Sequence, residues 1–357
     1  MEKIKVSNQS PKTEDYDIII GRNTIDLLNE QIRRLGTYSQ IVIITDKNVA
    51  PHWLEKTKKA IGSDIREIIL PACEKHKSIQ TAQQIWQQFK AFGIDRKSLV
   101  INLGGGVIGD LGGFAAATYM RGIDFIQVPT TLLAQVDASV GGKVGVNEAG
   151  IKNLIGSFST PRAVIIDPET LSTLPERELH SGYAEIIKHG LVADKNYFSQ
   201  ILDEGLNSCR AQIITDSCKI KAAIVTQDFK ESGVRKILNF GHTVGHALES
   251  FSHGLDNFLL HGEAISLGMI VALRLSELKL GLEPNLREQT VRALESVGLP
   301  TRSTNRSTQE LWSLMLSDKK NKDGLVNFVL LEDIASPKID CIVDKETFIE
   351  AYGSIKA

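Results

Sequence analysis

Short apolar runs rich in β-branched residues, separated by stretches of helical periodicity, fill the first half of the chain. They are YDIIIG (16–21), IVIITD (41–46), EIIL (67–70), SLVINLG (98–104), FIQVP (125–129) and AVIIDP (163–168). Strands covered on both faces read this way, because neither side of the sheet meets water. Thr24–Leu35, between the first two runs, carries an amphipathic helical pattern. This alternation predicts an α/β fold with a largely parallel sheet for residues 1–174. After Pro168 the pattern changes. From Pro175 onward helical periodicity prevails, through YAEIIKHGLVA, residues 207–227, a histidine-rich segment and residues 263–280. FVLLED (328–333) is the one late strand candidate. An all-α second domain over residues 175–357 is expected, with the boundary at Leu171–Pro175.

The length of 357 residues agrees with two domains, since one core usually stops growing at about 250–300 residues. The net charge of −2 offers no general attraction to a nucleic acid or an anionic membrane, and neither is expected as a partner. No apolar run approaches the roughly 20 residues that span a bilayer. The polar start MEKIKVSNQSPKTEDYD lacks the apolar core of a signal peptide, and the four cysteines form no CxxC. A cytoplasmic setting is the expectation.

Candidate chemistry concentrates in three places. Residues 235–269 hold His242, His246, His253 and His261, four of the eight histidines in the chain. Ile237, Leu238, Phe240, Val244 and Leu248 fall at helical spacing, so a helix is expected here, with His242 and His246 on one side of it. A second helix is expected to open near His261. Imidazoles gathered in this way, with carboxylates nearby, suit a divalent metal. Spacing alone pairs His242 with His246. The second place is NLGGGVIGD (102–110), directly after a strand and before a helical run. Gly104, Gly106 and Gly109 give G-x-G-x-x-G, which lets a backbone approach a pyrophosphate at a helix N-terminus. A tight strand-to-helix turn gives the same string, and in an ordinary Rossmann fold the motif sits in the first βα turn, not after several. Asp46 and Asn48 after the second run, and Thr130 and Thr131 after FIQVP, add polar groups at strand ends and favour a nucleotide. Third, Lys143, Lys152, Lys188, Lys221, Arg235 and the pair Lys319-Lys320 stand among small or apolar neighbours. Cations converging in that company would suit an anionic, phosphorylated substrate.

GGGVIGDLGGFAAATYMRG, QVPTTLLAQVDASVGGKVGVN, KNLIGSF, GYAEIIKHG, RKILNFGHTVGHALE and HGEAISLGM together resemble the 3-dehydroquinate synthase family of sugar-phosphate cyclases. The resemblance covers nearly the whole chain. It implies conversion of 3-deoxy-D-arabino-heptulosonate 7-phosphate to 3-dehydroquinate and phosphate, a carbon–oxygen lyase step of the shikimate pathway. The route implied is transient oxidation by NAD, phosphate elimination, re-reduction and an intramolecular aldol closure. NAD and a divalent metal, zinc or cobalt, are the implied cofactors, and a homodimer the implied assembly.

Carried over residue by residue, the metal ligands fall on Glu185, His242 and His261. NAD contacts fall on Asp46, Asn48, Glu74 and Lys77. They continue through Gly105, Gly106, Val107, Ile108, Gly109 and Asp110 of the glycine turn. Thr130, Thr131, Lys143, Lys152 and the run Thr170, Leu171, Ser172, Thr173 complete that set. Catalytic roles fall on Lys143, Lys188, Lys221, Asn239 and His246. Substrate contacts fall on Asp137, Asn153, Arg235 and one of Lys319 or Lys320, with Arg121 reaching the phosphate from a neighbouring subunit. The family's usual glycine before Glu74 is Cys73 here, which is expected to restrict that loop. Other readings stand beside this one: another sugar-phosphate cyclase, a metal-dependent polyol dehydrogenase that releases NADH, and a degenerate regulator that has lost its ligands. The intact Glu185, His242 and His261 argue against the last.

Overall fold

Each of the six apolar runs of the first half forms a strand in the computed structural model, which describes residues 15–62, 65–204, 210–252, 258–303, 307–316 and 325–356. In chain order these elements are β1 (Asp17–Ile20), α1 (Leu28–Leu35), β2 (Ile41–Asp46), α2 (Glu55–Ile61), β3 (Arg66–Leu70) and α3 (Ile79–Ala91). They continue as β4 (Leu99–Gly104), α4 (Gly106–Thr118), β5 (Asp124–Pro129), β6 (Lys143–Glu148), β7 (Ile151–Phe158) and β8 (Ala163–Ile166). The sheet order is β1-β8-β5-β4-β2-β3. β2 runs parallel to both β3 and β4, and β5 parallel to β8. One face buries Val42, Ile44 and Val100 under α3 and α4, and the other buries Ile43, Ile101 and Ile165 under α1 and α2. Two-sided burial is why these runs show no polar alternation.

The order also locates a turning point. From β2 the chain steps outward to β3, whereas from β4 it steps the other way to β5 and β8. The carboxyl ends of β2 and β4, which carry Asp46 and the glycine turn, therefore flank the reversal, where open α/β sheets bind ligands. The objection that the glycine motif comes late in the chain disappears. Its place in the sheet matters, and its place in the sequence does not.

The chain divides into two compact units. The first holds the described parts of Met1–Ile19, Asn23–Val128 and Gly142–Ile166, and the second Ile20–Arg22, Pro129–Gly141 and the described parts of Asp167–Ala357. The second unit contains α5 (Glu176–Ala193), α6 (Lys195–Glu204), α7 (Arg210–Gln227), α8 (His242–Ser252) and α9 (His261–Leu280). It continues with α10 (Pro284–Ser296), α11 (Thr308–Leu316), β9 (Val326–Asp333), β10 (Ser336–Val343) and α12 (Lys345–Gly353). α9 is apolar nearly all round and packs against α5, α8, α10, α12 and β9, as a helix at the centre of a unit must. No helix among the described residues is long and apolar enough to cross a membrane.

Three details differ from the sequence reading. The helical second unit also contains an antiparallel β9–β10 hairpin. β10 was hidden by Pro337, by its polar residues and by register shifts that break the alternation. The glycine-rich stretch around Lys143 is likewise a hairpin, β6–β7, whose turn residues Ala149 and Gly150 both have positive φ. That is the twist a tight hairpin turn demands. Finally, the histidine helix begins only at His242. Val234–Asn239 is a 3₁₀ turn, and Gly241 at φ 78° separates the two.

Candidate functional site

In the second unit the interior of α5 is unusually polar. Glu185, Lys188 and His189 all lie on buried positions of that helix, although charged residues are almost never fully buried unless paired. Lys188 forms an ion pair with Glu185 Oε2, one helical turn away. Apart from that pair, both Glu185 oxygens are buried and accept no hydrogen bond. Two imidazoles approach the other oxygen: His261 Nε2 stands 3.4 Å and His242 Nε2 3.8 Å from Oε1. A buried carboxylate without hydrogen bonds is costly, and a cation is the natural partner for it.

Glu185, His242 and His261 each offer a ligand atom, all within 4.8 Å of one another. Bonds of about 2 Å to one ion would draw such a set together by small side-chain rotations. The electrostatics fit. Burial and the Lys188 charge hold His242 well below the ordinary histidine value, so its ring is neutral and has a lone pair to donate. Burial would also lower His261, but the Glu185 and Glu249 carboxylates beside it outweigh this and raise the ring to about 9. Two carboxylates thus draw positive charge to this point. Glu249, 3.5 Å from His261 Nδ1, fixes which nitrogen faces Glu185.

Two other groups of three exist among the described residues: His246, Glu249 and His261, and Asp137, Glu185 and His189. In the latter, Asp137 is already held by Lys221 at 2.7 Å and His189 by Ser217 at 2.6 Å. The former uses His246, which is exposed on α8, its ring centroid 5.0 Å from that of His242. His246 shares a side of the helix with His242, as the spacing predicts. It is not in the group that contains the buried Glu185 carboxylate, on which the metal argument rests.

Three of the cations named from sequence, Lys188, Lys221 and Arg235, are anchored in the same unit. Burial works against the Asp137 charge, yet Lys221, with His189 and Lys188, holds its carboxyl well below the ordinary range. Burial lowers Lys221, and Asp137 offsets part of this. The Arg235 guanidinium is buried and donates to the carbonyls of Gly141 and Phe229, which fixes the direction of its fork. Asn239 donates to Glu231 at 2.7 Å. Thr130, Thr131 and Thr170–Thr173 also belong to this unit. Buried Gln135 joins them, donating to Pro129 O, Asp167 O and Thr170 Oγ1. Lys319 and Lys320, and His253, lie outside the described residues.

The other candidates lie in the sheet unit. Gly105 precedes α4 with no side chain to cap it, so the first-turn amides, Gly106 to Ile108, are left for an anion. Asp46 Oδ1 accepts from the amides of Asn48 and Val49 and so shapes the turn after β2. Lys77, buried, reaches Asp110 Oδ2 at 2.5 Å and also Asn153 Oδ1. Lys143 is exposed at the start of β6, and Lys152 is half-buried on β7. Arg121 is exposed after α4, where Met120 and Arg121 take φ of 50° and 71°. Cys73 has an extended backbone that any residue adopts, so its side chain adds no backbone strain.

Sequence reasoning missed Glu249, His189 and Asn147. Glu249 follows His242 by seven residues and so falls near its side of α8, a signal that spacing could have given. Nothing in the sequence marks the other two.

Family models described as 3-dehydroquinate synthase N-terminal and C-terminal match residues 67–181 and 182–321. The chain is 43% identical over 344 residues to the 3-dehydroquinate synthase of Pseudomonas putida (strain W619), covering 93% of this chain and 92% of that one. It is 42% identical over 321 residues to that of Acetivibrio thermocellus, covering 87% and 88%. The fold matches 2-epi-5-epi-valiolone synthase from Streptomyces hygroscopicus, solved with NAD+ and Zn2+, at a TM-score of 0.88 and 23% identity over 99% of both chains. It also matches a 2-deoxy-scyllo-inosose synthase complexed with carbaglucose-6-phosphate, NAD+ and Co2+, at a TM-score of 0.83 and 24% identity, covering 94% and 95%.

Proposed function

The chain belongs to the 3-dehydroquinate synthase family, and from that premise we propose that it converts 3-deoxy-D-arabino-heptulosonate 7-phosphate to 3-dehydroquinate and inorganic phosphate in the shikimate pathway. Because phosphate leaves by elimination, the overall step is that of a carbon–oxygen lyase. The structural observation that carries the reading is the buried Glu185 carboxylate facing His242 and His261 beside a set of anchored cations. When bound, NAD supplies a reversible hydride acceptor and the divalent metal a Lewis acid for the substrate's ring oxygens.

The chain's own groups account for the rest. Glu185, His242 and His261 would hold the metal and, being three, would leave coordination positions for substrate. Lys188, Asp137, Lys221 and Asn239 orient hydroxyl groups, each already fixed by a protein partner. His246, exposed on α8, relays a proton through its ring nitrogens. Arg235, with Lys143, Asn153 and one of Lys319 or Lys320, takes the phosphate. The glycine turn, with Asp46, Asn48, Glu74, Lys77 and Asp110, would hold NAD. Lys152, Thr130, Thr131 and Thr170–Thr173 complete its surroundings. A cytoplasmic setting suits the unpaired thiols of Cys73, Cys218 and Cys341.

Phosphate release should require both NAD and a divalent metal, with many turnovers per NAD, because the hydride returns within each cycle. NADH accumulating in proportion to product would instead support a polyol dehydrogenase. The assembly has its own test. If Arg121 completes a neighbour's phosphate site in a homodimer, mixing inactive Arg121→Ala and Lys143→Ala subunits should restore part of the activity. No recovery after demonstrated subunit exchange would count against a shared site.

A further inference from the structure

Asn147 stands at the bulge in β6, where the register with β7 shifts between Val146 and Glu148. A bulge re-aims a side chain, and here it directs an amide between two segments. Asn147 Nδ2 donates to Glu74 Oε1 at 2.9 Å, and Asn147 Oδ1 accepts from the amide of Asn153 at 2.9 Å. The backbone amide of Asn147 donates to Lys77 O at 2.8 Å. The orientation of the side-chain amide is not ambiguous, because a carboxylate can only accept and a backbone N–H can only donate. Asn153, at φ 53°, occupies the left-handed region, and its side chain meets Lys77, which in turn pairs with Asp110 of α4. Glu74, Asn147, Asn153, Lys77 and Asp110 thus form one continuous polar chain within the sheet unit.

We propose that Asn147 is a positioning residue that locks the Glu74–Lys77 loop and the Asn153 backbone into one frame, and so couples the NAD-facing loop to the substrate-facing asparagine. This rests on the assignment above of Glu74 and Lys77 to NAD and of Asn153 to the substrate phosphate. Only an amide serves both directions at once. A carboxylate of the same shape keeps the bond from Asn153 but cannot donate to Glu74, beside which it places a second negative charge.

That asymmetry gives the experiment. Steady-state constants for NAD and for the heptulosonate phosphate are measured for Asn147→Asp and Asn147→Ala holoenzyme. Glu74→Ala and Asn153→Ala serve as references. Asn147→Asp should raise KM for NAD about tenfold, the size of one lost charge-assisted hydrogen bond. Its KM for the sugar phosphate should stay within about threefold, since that bond survives. Asn147→Ala should raise both constants, with kcat changed less than either. A merely structural role would move the two constants together in both variants, and that result overturns the proposal. If Asn147→Ala fails to fold, the isosteric Asn147→Asp still decides the matter. If Glu74→Ala leaves NAD affinity unchanged, the assignment of the loop falls and the proposal with it. If Glu74→Ala weakens NAD while both Asn147 variants do not, the proposal alone falls.

Discussion

His261→Ala and His242→Ala should each purify without bound metal and with kcat reduced by three orders of magnitude or more, on the order of 4 kcal/mol of transition-state stabilisation. His246→Ala should retain the metal and lose mainly turnover. The contrast is needed because His261 belongs to two of the three candidate groups, so its loss alone cannot tell them apart. His242 and His246 can, since each belongs to one. The geometry favours His242: it faces the buried Glu185 carboxylate, whose oxygens accept no hydrogen bond, and burial keeps its ring neutral. His246 is exposed. Metal content of the purified variants, measured together with phosphate release, decides between the two. Metal lost from His246→Ala but kept by His242→Ala would place the ion with Glu249 instead.

Gly262→Ala should be nearly as damaging, although it removes no functional group. A Cβ at this position would lie 1.9 Å from the carbonyl oxygen of Ser181 and 2.6 Å from its carbon. Both are backbone atoms of α5, and neither can swing aside as a side chain would. The Gly262 amide also donates to Ser181 Oγ at 2.9 Å, so this contact pins the start of α9 against α5 and brings His261 to Glu185. Arg177 reinforces the junction by gripping Glu263 with two bonds of 2.7 Å. Overpacking usually costs about 1–3 kcal/mol; with backbone on one side, the upper end or more is expected. For a unit of this size that is a fall in Tm of roughly 10 °C, accompanied by loss of metal. Gly353→Ala, where nothing lies within 4 Å, is the control. Wild-type melting and metal content in Gly262→Ala would mean that the two helices do not meet this closely.

The sheet was legible because its strands are apolar on both sides and bounded by polar turns; β2 spans the residues the pattern gives. The hairpins were less so. β7 presents an exposed, mixed face, and β10 has too few buried positions to set a period. Of the site, the ligand types and the facing pair His242 and His246 could be read from spacing. The proposed carboxylate ligand could not. Glu185 is separated from His242 in sequence by α6, α7 and a 3₁₀ turn, and only a known family pattern or a structure brings the two together. Asn147 was invisible for another reason: its role depends on a bulge, which changes where a side chain points without leaving a mark in the sequence.

The glycines of α4 have a further consequence, for how the protein folds. Four of the thirteen residues in this helix are glycine, and each sacrifices roughly 1 kcal/mol of intrinsic helical stability relative to alanine. What they allow is contact. A Cβ at Gly112 would meet the Asn102 amide oxygen at 2.0 Å, and one at Gly113 would meet Val144 at 2.5 Å. A helix so poor in its own right cannot form ahead of its surroundings. It must consolidate together with β4 and the β6–β7 hairpin, as one cooperative step rather than as an early local nucleus. The amides at its N-terminus acquire their common direction only in that step. A peptide cut from residues 99–118 would carry every glycine of the turn and would lack the contacts that hold it in shape.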